Sequence, residues 1–142
     1  MNKPVLFLRI AAALTFVHSV LHTMGGVFGK IPAGPAAVAV AAMQANQFVF
    51  MGKLRSFWDF NRGFGLGITI FLTAESILML QMSFLARTDA GRLRPMMATF
   101  LVAYAVFAVN SYVYFFSGPV ITELVIALCL GLAIATAGRE AA

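Results

Sequence analysis

Long apolar runs separated by short polar breaks dominate the chain. A helix that crosses a bilayer needs about 20 mainly apolar residues. Four stretches meet that length: 4–28, 62–86, 95–116 and 119–137. The first carries only Arg9 as a charge and is longer than the apolar core of a signal peptide, so it is expected to be a retained span. The break 87-RTDAGRLRP-95 is short, basic and turn-forming, and 117-SGP-119 reads as a tight turn with Pro119 at a favourable first helical position. The remaining connection, 29–61, is much longer. It opens on Gly29, Pro32, Gly34 and Pro35 and continues AAVAVAAMQANQFVFMGKLRSFWDF. Phe48, Met51, Leu54 and Trp58 recur there at three- to four-residue spacing beside Lys53 and Arg55, which predicts an amphipathic interfacial helix over about 35–58. The expected fold is all-α. It is a single domain over 1–142, an integral membrane four-transmembrane-helix bundle with an interfacial helix in the long first loop.

Composition agrees with that pattern. The 142 residues are 61% hydrophobic and 11% charged, against about a quarter charged in soluble domains, and mean hydropathy is +0.92. The net charge of +5 would suggest nucleic acid in a soluble protein. Between apolar runs, basic residues instead read as topology signals and contacts to anionic membrane lipids, so no nucleic-acid partner is expected. With the N-terminus inside, Lys3, Arg9, Arg87, Arg92, Arg94 and Arg139 fall on the inner side and Lys30, Lys53, Arg55 and Arg62 on the outer. The concentrated 87–94 loop tips the orientation toward both termini in the cytoplasm. Cys129 is the only cysteine, so no intrachain disulfide forms.

Polar groups at membrane depth are costly and usually face a bundle interior or a wet cavity. Here they are His18, His22, Glu75, Asn110 and Glu123, with Trp58, Asp59 and Asn61 at the outer mouth. A rise of 1.5 Å per residue puts His22 roughly 9 Å and His18 roughly 15 Å deep, Glu75 roughly 15–20 Å down, and Asn110 and Glu123 roughly 6–9 Å from the outer ends. All four spans thus offer a polar group to one half of the membrane. His18 and His22, at i and i+4, share a helix face. Gly25 and Gly29, and Gly63 and Gly67 with Gly65 between them, form small-residue motifs of the kind that let helices approach closely.

Imidazole and carboxylate in a low-dielectric pocket suit general acid–base work, with His18, His22 and Glu75 as the expected catalytic set. Trp58, Asp59, Asn61, Asn110 and Glu123 would bind ligand around them. The same His18, His22 and Glu75 could alternatively hold a metal. A haem would need a Met or a second copy for its other axial ligand, since neighbouring rings on one helix cannot reach both faces of one iron. No GxGxxG, P-loop, CxxC or GxSxG occurs, so nucleotide, redox-thiol and serine-hydrolase chemistry lack support and no cofactor is named.

The chain carries the elements 22-HTMGG-26, 41-AAMQ-44, 48-FVFMG-52, 57-FWDFNRGFG-65 and Arg94-Pro95, and the resemblance they carry extends over most of its length. With them the chain resembles a family of small bacterial four-helix integral membrane proteins marked by HTxG and WDFxxGFG motifs. The resemblance implies four spans and a long first loop, and it carries no catalytic assignment; the expected location is the cell inner membrane. A fainter likeness, of fold alone, is to small membrane proteins of the DoxX-like group and to sterol-isomerase-type bundles. The leading expectation is a protein that binds, and whose pocket could transform, a small hydrophobic ligand such as a lipid, isoprenoid or quinone. Its first rival is a metal or haem protein. Its second is a non-enzymatic subunit or assembly factor that docks on a second copy or a membrane complex.

Overall fold

The structure, a computed structural model, describes residues 2–138; Arg139, counted above for orientation, lies outside them. In chain order the described residues form α1 (Lys3–Leu21), a π-helical turn (His22–Val27), α2 (Pro35–Ala45), β1 (Gln47–Phe50), β2 (Lys53–Ser56), α3 (Phe57–Asp89), a short 3-10 turn (Gly91–Leu93), α4 (Arg94–Tyr114) and α5 (Ser117–Thr136). Four helical segments are long and apolar enough to cross a membrane: Lys3–Val27, Phe57–Asp89, Gly91–Tyr114 and Ser117–Thr136. Each contains one of the four expected stretches, apart from the last residue or two of 4–28, 95–116 and 119–137. The described residues divide into two compact units, 2–18 with 72–138, and 19–71.

The first unit is a helix bundle. Val5, Leu8 and Ala11 from α1, Met79 and Met82 from α3, Met97 and Tyr104 from α4, and Ile126, Leu130 and Ala133 from α5 share one buried core. Alanines at the contacts let the helices approach, and Ser76 Oγ donates to the Ala12 carbonyl at 2.9 Å, tying α3 to α1. At one end Arg9 and Arg87 both lie over the Phe84 ring, 5.6 and 5.0 Å from its centre. Pro95 sits in the first turn of α4, where its missing N–H costs nothing. α5 begins at Ser117, two residues ahead of the expected first helical position at Pro119.

The second unit departs from the expected interfacial helix over 35–58. Its Ala-rich part, Pro35–Ala45, is a separate helix, and Phe57 and Trp58 already belong to α3. Asn46 ends α2, with its backbone N–H and its Nδ2 both donating to the Ala42 carbonyl. Residues 47–56 form an antiparallel hairpin, in register Gln47↔Ser56, Phe48↔Arg55, Val49↔Leu54 and Phe50↔Lys53. Its two-residue turn is Met51-Gly52, with φ of +49° and +79°, the backbone sense that matches the twist of paired strands. Phe48 and Phe50 alternate onto one face with Lys53 and Arg55. The spacing of Phe48, Met51 and Leu54 fitted a helix, but Met51 belongs to the turn.

Candidate functional site

α3 starts from a reciprocal cap. Asp59 Oδ2 accepts from the Ser56 backbone N–H at 2.8 Å and from Ser56 Oγ at 3.0 Å. Ser56 Oγ in turn accepts from the Asp59 N–H at 3.2 Å. This closes orphan donors at the helix N-terminus and fixes the angle at which β2 enters α3. The entry brings the Phe48–Phe50 face of the hairpin against the first turns of α3. Phe48 lies 5.0 Å from Phe57 and stacks on Phe60 at 6.0 Å, Phe50 meets Phe60 edge-on at 5.5 Å, and Phe64 lies 6.4 Å from Phe60. Against this cluster lies an open groove of about 520 Å³, with Phe50, Met51, Phe60 and Phe64 as apolar wall and Lys53, Arg55 and Asp59 as its charged groups. Gly63 completes the lining.

The two motif segments named above also meet in this unit. His22 Nε2 is 3.1 Å from the Gly65 carbonyl. A carbonyl only accepts, so Nε2 carries the proton. Thr23 Oγ1 pairs with Thr69 Oγ1 at 2.9 Å, and Ser19 Oγ donates to the Thr69 carbonyl at 3.1 Å. A Cβ on Gly65 would stand 3.0 Å from Val27 Cγ2. Gly65 is therefore the glycine of close approach, while nothing lies within 4 Å of such a Cβ at Gly25, Gly63 or Gly67. Gly29 folds against the Gly25 carbonyl of its own turn. Both expected glycine pairs thus leave the close contact to Gly65, between Gly63 and Gly67.

The bundle unit places the other candidates. His18 is buried in α1. The Tyr104 hydroxyl bridges Glu75 Oε2 at 2.8 Å and Thr15 Oγ1 at 3.1 Å, its single hydrogen serving one of them at a time. Glu123 is 1% exposed; Ser111 Oγ donates to its Oε1 at 2.9 Å, and its Oε2 has no hydrogen-bond partner among the described residues. Glu75 and Glu123 thus each meet a hydroxyl of α4. Tyr104 and Ser111 are seven residues apart, about 10 Å along the helix, so the two carboxyl groups are held at separate levels. Asn110 is exposed on α4 and Asn61 is exposed on α3, while Trp58 is half-buried.

Asp59 alone of the expected ligand-binding residues lines the groove. Tyr104, Thr15 and Ser111 were not singled out, although Met97, Tyr104, Ala108 and Ser111 trace one inward stripe of α4. Among the described residues no three His, Cys, Asp or Glu side chains gather where they could hold a metal ion. No family model, curated protein or solved structure matches the chain.

Proposed function

We propose that the chain is a multi-pass membrane protein that binds a small hydrophobic ligand, and that the ligand sits in the groove between the hairpin and the start of α3. One observation carries this reading: an open groove of about 520 Å³ walled by Phe50, Met51, Phe60 and Phe64. Ligand sites are concave, mainly apolar and aromatic, with a few polar groups that fix orientation. In the bundle interior, hydroxyls of α4 engage Glu75 and one carboxyl oxygen of Glu123. His22 spends Nε2 on the Gly65 carbonyl. The reading is therefore one of binding, with no chemistry on the ligand assigned to His18, His22 or Glu75.

An inner-membrane location with both termini in the cytoplasm belongs to the same proposal. It is supported by Arg87, Arg92 and Arg94 between α3 and α4 and by the motif resemblance. Native mass spectrometry of the protein released from a mild detergent is the test. A hydrophobic compound retained at one per chain is the expected result. A chain that stays folded and carries no such compound in any mild detergent overturns the reading.

A further inference from the structure

The charge of the groove says more than its shape. Lys53 and Arg55 alternate along β2 and so project from the face that carries Phe48 and Phe50. Both line the groove. A neutral hydrophobe has no use for two cations, and a free aqueous anion has no use for an aromatic wall. The combination fits an amphiphile with an anionic head. Asp59 is the one acidic group lining the groove, and its Oδ2 is already held by the N–H and hydroxyl of Ser56. Arg55 Nη1 donates to the Leu54 carbonyl at 2.7 Å, which steadies the guanidinium while leaving further N–H groups.

The hairpin tip points to where such an amphiphile comes from. Met51 takes the left-handed conformation at φ +49°, in a turn position that favours Asn, Asp or Gly. The residue is 89% exposed. An apolar tip beside two cations is the pattern of an element that dips toward acyl chains while its cations stay at the level of lipid phosphates. Four helices long enough to cross a bilayer put that bilayer within reach.

We infer that the groove holds an anionic phospholipid, its phosphate on Lys53 and Arg55 and the upper part of an acyl chain on Phe60 and Phe64. The inference rests on the ligand-binding reading above and names its ligand class.

The test titrates the full chain, in a mild detergent, with phosphatidylglycerol and with phosphatidylcholine of the same acyl chains. Retained lipid is read by native mass spectrometry. Two surface cations partly opposed by Asp59 give phosphatidylglycerol an advantage of about tenfold. Lys53→Gln with Arg55→Gln brings the two lipids to similar affinity, while Lys53→Arg with Arg55→Lys keeps the preference and shows that the hairpin tolerates change there. Millimolar inorganic phosphate leaves the bound phosphatidylglycerol in place. Equal binding of both lipids by the unaltered chain overturns the inference and leaves the ligand-binding reading standing. So does a preference that survives in the double Gln variant, and so does displacement by phosphate, which would assign the cations to a free anion. Retention of neither lipid, nor of any other hydrophobic compound, overturns both.

Discussion

The bundle unit and the hairpin unit differ in how far they bury their apolar side chains. The bundle turns Leu8, Met79, Met97, Ile126 and Leu130 inward until none is exposed. It also settles its polar groups between helices, Ser76 on Ala12, Tyr104 on Glu75 and Ser111 on Glu123. The hairpin unit buries little: Ser19, Val27 and Ser56. All of α2 stays unburied, and Val49, Phe50, Met51 and Leu54 stand exposed. An apolar surface of that kind calls for something apolar to cover it. The bundle also exposes apolar side chains on its helices, Phe84, Val106 and Leu128 among them, but the aromatic groove belongs to the hairpin unit. Ionisable residues at membrane depth invite a functional reading by default. Here the stronger invitation comes from the aromatic groove.

The largest expected effect separates the two units by stability. Leu130→Ala removes a fully buried side chain from the bundle core and should cost about 2–5 kcal/mol, read as the shift in an unfolding midpoint in mixed micelles. Val49→Ala, on the exposed hairpin, should stay within about 0.5 kcal/mol. Equal losses would erase the contrast. Next comes Tyr104→Phe, which strips the hydroxyl from Glu75 and Thr15. It should cost about 1 kcal/mol and leave ligand retention unchanged. Ser56→Ala opens the cap on α3 and should also cost about 1 kcal/mol. Its faster hydrogen exchange should be confined to residues near 56–60, and exchange that spreads into α4 would show the units to be one cooperative block. The smallest effect has the opposite sign. Met51→Asn suits the left-handed turn better and should stabilise the hairpin by up to about 1 kcal/mol, while weakening lipid retention because the exposed apolar tip is gone.

The spans were legible because length and apolarity alone define them, and neither depends on which face packs. The segment 47–56 was not. Phe48, Met51 and Leu54 satisfy a helical spacing, while Phe48 and Phe50, two apart and opposite Arg55 and Lys53, satisfy a strand. The Met51-Gly52 pair decides between them, and Met is a rare choice for a turn that needs φ above zero. In the candidate site, the places of Glu75 and Glu123 within long apolar helices were readable from the sequence. Their partners were not, since Tyr104 and Ser111 are neutral side chains common in apolar helices. Asn110, one position before Ser111, falls on the outward side by a helical rotation of about 100°. The groove was out of reach for a further reason. Its wall is assembled from a strand face and a helix start that only the hairpin register brings together.

The most direct measurement compares ligand retention in two variants of the full chain, one from each unit, by native mass spectrometry from the same detergent. Phe60→Ala removes the ring shared by Phe48, Phe50 and Phe64, and Glu75→Gln alters the carboxyl group bonded to Tyr104. The expected result is that Phe60→Ala loses the bound hydrophobic compound and Glu75→Gln keeps it. Retention in Phe60→Ala with loss in Glu75→Gln would contradict the placement of the site and return it to the bundle interior.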